Sequence, residues 1–129
     1  MKYLILLGGL ISASFTYSAP MSEELSICYT FKSDKLVKKS SCVVNSGYGA
    51  GGSYVAIEQG TLTYNIETEI THNERTDEYE ESEPILNDLP AKFYARDLFY
   101  KKIEDQSLIT DDSLSCYETK NKKIDICYK

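Results

Sequence analysis

Apolar and polar positions alternate through much of this 129-residue chain, and the alternation predicts strands joined by short turns. It is clearest over 61–67, where Leu62, Tyr64 and Ile66 fall on one face and Thr61, Thr63, Asn65 and Glu67 on the other. That is the pattern of an antiparallel sheet with one wet side. Tyr54 to Glu58 predicts the preceding strand, with Gln59-Gly60 as the turn. Leu25 to Phe31 and Leu36 to Val44 predict a first hairpin around Lys32-Ser33-Asp34-Lys35. Leu114 to Tyr128 predicts a last one around Lys120-Asn121-Lys122-Lys123, with Asn121 suited to the positive φ of a tight turn.

The middle of the chain is less regular. Ile85 to Pro90 fits a tight turn between short strands, or a helix start with Asp88 as cap and Pro90 in the first turn. Ala91 to Tyr94 fits a helical turn and Leu98 to Ile103 a strand. From Glu67 to Glu83 there are eight acids against one base, Arg75, with few apolar residues. Thr71 to Pro84 therefore reads as an exposed, solvated loop. The fold class expected is mainly β with room for one short helix, a small antiparallel sheet or barrel-like domain.

The first residues change the compartment. Lys2 followed by the apolar run Tyr3 to Ile11 and the small, polar stretch Ser12 to Ala19 predicts an export signal over 1–19, cleaved after Ala19 or Ser18. The apolar run is too short for a membrane span. Residues 20–129 then form one domain, placed in the periplasm or secreted. The formal charge is −6, and loss of Lys2 makes the mature chain one unit more acidic. Nucleic acid and anionic membranes call for a basic face, so neither is an expected partner; a basic protein is.

Four cysteines in a small exported chain predict two disulfides. Cys28 and Cys42 lie symmetrically about residue 35 in the first turn, and Cys116 and Cys127 about 121–122 in the last. Cys28–Cys42 and Cys116–Cys127 are thus the expected pairs, each stapling a hairpin and together forming a weak internal repeat. A zinc site is disfavoured by the lack of any CxxC spacing and by the single histidine.

Four of the seven glycines fall within Asn45 to Tyr54, either a sharp corner or a surface open to close approach. Gly47, Gly49 and Gly52 satisfy GxGxxG, but a strand and not a helix follows, so no nucleotide site is expected. His72 sits among acids with no nucleophile near it in sequence, and the acids lack the spacing of a calcium loop. No catalytic residue, metal or cofactor is expected. Tyr29, Tyr64, Tyr117 and Tyr128 are assigned to covering the disulfides and the sheet. Tyr48 and Tyr54 stand equally for binding and for structure.

Ala50-Gly51-Gly52-Ser53-Tyr54, followed by Gly60-Thr61-Leu62-Thr63-Tyr64, resembles a pattern in small exported lysozyme inhibitors. These include the membrane-bound C-type and the invertebrate-type inhibitors, compact β proteins whose Ser-Gly-x-x-Tyr loop enters the lysozyme cleft. Here Ala50 replaces the serine and no tryptophan follows. The resemblance implies Gly51 and Tyr54 as loop residues, with Ser53 or Ser46 supplying the donor that Ala50 lacks. Together with Tyr48 these are the candidate binding residues. The function expected is a non-enzymatic inhibitor or immunity protein that blocks a cell-wall hydrolase or a delivered toxin. The alternative is a structural or accessory envelope module. An enzyme or ligand carrier would need a cavity that the pattern does not predict.

Overall fold

The computed structural model describes residues 22–49 and 51–129; the predicted export signal and Ala50 lie outside them. The strands are β1 (Ser22–Lys32), β2 (Lys35–Gly49), β3 (Gly52–Gln59), β4 (Leu62–Asn73), β5 (Glu78–Glu81), β6 (Ile85–Leu86), β7 (Leu89–Arg96), β8 (Lys102–Ile103), β9 (Leu114–Thr119) and β10 (Asp125–Tyr128). Every pairing is antiparallel. The order β3-β2-β1-β10-β9-β7-β6-β4 is closed by the β3–β4 ladder into a barrel, with β5 added to β4 and β8 to β7. Closure leaves the ring strands without free edges, which a lone sheet would have to protect.

Turn chemistry explains the hairpins. Ser33-Asp34 (φ 52° and 61°) and Asn87-Asp88 (φ 47° and 66°) are two-residue turns with both residues left-handed, the geometry that matches strand twist. Asn87 also accepts from Asn65 N at 2.8 Å and donates to Thr63 O at 3.3 Å, tying its turn to β4. This settles 85–90 as strand, turn, strand. No helix begins at Asp88, and Ala91 to Tyr94 belongs to β7. The helical element is instead a 3-10 turn at Gln106–Leu108, capped by the Asp105 side chain. Of Leu98 to Ile103 only Lys102–Ile103 is strand. Before it Asp97 Oδ1 accepts from Phe99 N at 2.8 Å and Lys101 N at 3.0 Å, and Tyr100 turns the chain with φ 67°.

Three further expectations shift. The ladder pairs Gln59 with Leu62, so the β3–β4 turn is Gly60-Thr61. In the last hairpin Lys122, not Asn121, takes the positive φ, 61°. Thr71 to Pro84 is not a loop throughout: β4 runs to Asn73 and pairs with β5, His72 opposite Tyr79 and Thr71 opposite Glu80. Its exposure is as expected. Glutamates can occupy a ladder whose side chains all reach water, because the backbone bonds need no apolar face.

Both disulfides form as spaced in the sequence, Cys28–Cys42 and Cys116–Cys127. The stapled hairpins are neighbours, since β1 pairs with β10, and Ile27 and Lys129 exchange both backbone bonds at 3.0 Å. Their sulfurs fall on opposite faces. Cys28–Cys42 lies in the barrel interior with Val44, Ile57, Ile66, Leu86, Ala91 and Ile126, and Tyr64, Tyr117 and Tyr128 pack against this cluster. Cys116–Cys127 lies outside the barrel wall with Tyr29, Phe31 and Leu114, roofed by Tyr94 and Tyr100.

Arg96 ties this outer layer together while only 1% exposed. Nη2 donates to Asp125 Oδ2 at 2.9 Å and Asp34 Oδ1 at 3.1 Å, Nη1 to Tyr100 O at 2.8 Å and Nε to Tyr94 Oη at 2.9 Å. Its guanidinium stacks 4.0 Å from the Phe31 ring centre. Tyr94 in turn donates to Asp125. Burial, then Asp125, raises the Tyr94 phenol, keeping it a donor. Burial also raises the Asp125 carboxyl, against the Tyr94 hydrogen bond and the Arg96 charge. The exposed Asp34 carboxyl is held below its ordinary value, first by the Arg96 hydrogen bond and then by Lys102.

Two outcomes are expected. Arg96→Met leaves Asp125 buried without its cation and lowers stability in urea by about 3–5 kcal/mol, whereas Asp34→Asn barely moves the midpoint. A Cβ on Gly52 (φ 155°) would sit 2.1 Å from Thr68 O, while one on Gly51 meets nothing within 4 Å. Gly52→Ala should therefore cost about 3 kcal/mol by thermal melting and Gly51→Ala less than about 0.5 kcal/mol.

Candidate functional site

The glycine-rich stretch is the end of the β2–β3 hairpin, with Gly49 opposite Gly52. Register divides the candidate residues between two faces. Tyr48 is opposite Ser53 and Ser46 is opposite Val55, in line with the interior-facing Val44 and Ile57. Tyr54 is opposite Gly47 on the other face. Gly51 is at the exposed tip, hydrogen-bonded through its carbonyl to Ile70 N at 3.1 Å.

The two tyrosines differ in kind. Tyr54 lies across Gly47, where an added Cβ would come within 2.7 Å of its ring. Gly47 is the flat seat for that ring, so Tyr54 covers backbone and is 37% exposed. Tyr48 is 71% exposed. An uncovered tyrosine at a hairpin end presents a large area with few rotamers to freeze, which favours recognition.

Beside this tip stands the acidic β4–β5 hairpin. Its turn is fastened by His72 Nε2 to Asp77 Oδ1 at 2.8 Å, and the His72 ring packs on Tyr79 with centroids 4.7 Å apart. His72 thus has a carboxylate and a ring as partners and no nucleophile. Tyr79 is 72% exposed. Alternation puts Tyr79, His72, Ile70 and Glu81 on the face shared with Thr68 and Ser53. Most of the remaining acids, Glu67, Glu69, Glu78 and Glu80, are on the reverse. The strands past the barrel form a flap with an aromatic inner face and an acidic outer one.

Between this flap and the far wall is a groove of about 360 Å³, lined by Ser53, Thr68, Glu81, Pro84, Phe93 and Tyr117 among others. Phe93 and Tyr117 meet edge to face with centroids 5.3 Å apart. Of the expected binding residues the groove takes in only Ser53. Local sequence does not reveal Phe93 and Glu81, because 91–94 fits a helical turn and 71–84 an exposed loop. Read as strand, 89–96 separates Leu89, Ala91, Phe93 and Ala95 from Pro90, Lys92, Tyr94 and Arg96, and Phe93 becomes the one aromatic residue of an interior row.

Among the described residues no His, Cys, Asp and Glu group is arranged to hold a metal, and no helix is long and apolar enough to cross a membrane. The two disulfides fit an oxidising compartment. Comparison with protein-family models, curated proteins and solved structures found no match.

Burial, and secondarily Tyr128, pushes the Tyr117 phenol up to about 12 from an ordinary 10.0. A phenol kept protonated by the fold contributes stability that is complete below pH 10 and is lost as pH rises toward 12. Stability measured against pH should fall over that window. Tyr117→Phe should flatten the fall, and the tyrosinate absorbance step near pH 12 should shrink. A step for Tyr117 near pH 10 in the intact fold would contradict this placement.

Proposed function

We propose that this chain is an exported, non-catalytic binding protein that blocks a basic enzyme, a cell-wall hydrolase or a toxin delivered by a competing cell. The observation that carries the reading is the flap: two tyrosines more than 70% exposed, Tyr48 and Tyr79, on rigidly paired strands edged with carboxylates. Ordered aromatic residues on a barrel lose little entropy when a partner covers them. The acidic field would speed encounter with a basic enzyme, and that rate would fall with added salt. The likeness of Ala50 to Tyr54 to the lysozyme-inhibitor loop supports the same class. Ser46 and Ser53 stand beside Tyr48 as polar contacts and Gly51 as the point of close approach, while Tyr54 acts through the backbone it covers.

The test is a pull-down with the tagged mature protein made in its own periplasm, followed by an activity assay on what is captured. A stoichiometric hydrolase or toxin that loses activity in the complex is the expected result. Tyr48→Ala should then weaken the complex about tenfold or more with no change in melting temperature. Recovery of the protein alone, or of envelope proteins without enzymatic activity, would replace this reading with an accessory envelope module.

A further inference from the structure

We infer that the groove at the barrel mouth is a receptor for one cationic side chain, an arginine presented by a protein partner. The inference deepens the proposed function, since it takes the partner to be a basic protein. Its ground is the chemistry of the walls.

Phe93 breaks the pattern of its own row. Ala91 and Ala95 on either side are 0% and 2% exposed, yet Phe93 remains 52% exposed, propped against Tyr117 over an open groove. An aromatic pair with one free face attracts a cation through the ring quadrupole, and a planar guanidinium can stack there as an ammonium cannot.

Glu81 supplies the anion. Register puts it opposite Ile70, on the inner face of the flap, and it lines the same groove. Two lysines of the adjoining strands and turn are already engaged, Lys120 with Glu83 and Lys92 with Glu118. Among the described residues Glu81 has no ion pair. Ser53 and Thr68 add hydroxyl groups on the same face as Glu81, across the groove from the aromatic pair, and neither side chain is hydrogen-bonded within the described residues. A guanidinium carries donors and no acceptor, so a carboxylate and two hydroxyl oxygens are the complement it needs.

Size and field agree with this. At about 360 Å³ the groove is at the small end of ligand pockets, with room for one side chain but not for a peptide segment. Eight acids fall between Glu67 and Glu83, and the summed negative field of this segment draws cations toward the flap that forms one wall of the groove.

The test requires no knowledge of the partner. The disulfide-bonded chain, labelled with nitrogen-15 and with carbon-13 in its aromatic rings, is titrated by NMR with N-acetyl-arginine amide. N-acetyl-citrulline amide, the neutral isostere, is the comparison. Saturable shifts centred on Phe93, Tyr117, Ser53, Thr68 and Glu81 are expected, with citrulline binding at least about threefold weaker. Glu81→Gln and Phe93→Ala should each weaken arginine binding by about threefold or more, and Glu78→Gln on the outer face should not. Both sites are exposed, and the spectra themselves report whether each variant is folded. Shifts spread evenly along the acidic strands, equal response to citrulline, or binding unchanged in both groove variants would overturn the proposal. Failure here leaves the inhibitor test standing. Saturable arginine binding with no enzyme captured would instead retain the groove and reject the inhibitor.

Discussion

One buried cation organises the half of the molecule that the barrel interior does not reach. Arg96 leaves β7 on the outer wall and is satisfied by Tyr94, by Asp125 on β10, by Asp34 in the β1–β2 turn and by the carbonyl of Tyr100. A guanidinium without these partners would not remain out of water, and the partners come from segments up to 62 residues away in sequence. The interaction therefore fixes relative placement. Tyr100 accepts an unfavourable left-handed backbone, and its ring meets Tyr29 and Phe31 at 5.7 Å each, closing the cover over the second disulfide. The fork geometry of arginine matters here, since a lysine has one charged nitrogen with which to reach four acceptors in different directions.

The two layers divide the work of stabilising a small chain. The interior is a single ring of mostly aliphatic side chains around Cys28–Cys42, and a ring so narrow buries limited apolar area. The outer layer adds a second cluster around Cys116–Cys127, on the far side of the same strands. Because adjacent residues of a strand point to opposite faces, Ile126 and Cys127 serve one layer each, as do Cys28 and Tyr29. This is how β1 and β10 come to carry apolar residues in succession while β4 alternates with acids. The staples constrain the unfolded chain in both layers, each by an amount on the order of 2–4 kcal/mol.

The hairpins and the disulfide pairs were legible because both are local: cysteines symmetric about a turn cluster need only one register to meet. Ser33-Asp34 and Asn87-Asp88 carried readable turn chemistry, yet at 88–90 an Asp two residues before a Pro is also a helix-start signal. What chose the strand was the ladder to β9 and the Asn87 contacts to β4, which no local window contains. Glu78 to Glu81 defeats hydropathy because a flap strand with both faces wet shows no alternation. Arg96 gave no sign of burial, since a basic residue next to an aspartate reads as surface until four acceptors converge on it. Closure of the barrel depends on β6, two residues long, and no periodicity shows in two residues.

The same limit applies to the candidate site. The glycine-rich stretch stood out in the sequence because its composition is unusual, and the structure gives most of that composition a backbone role: Gly47 seats Tyr54, and Gly52 lets β3 approach β4. Those constraints would hold in a protein with no partner at all. Phe93, Glu81 and Tyr48 are different. Nothing in the packing requires a half-exposed phenylalanine between two buried alanines, an unpaired carboxylate facing it, or a tyrosine left uncovered at a hairpin end. A small barrel with limited apolar area would be steadier with the ring covered or replaced. Residues that the fold does not need, gathered from β2, β5 and β7 on one inner face, are where recognition is to be sought.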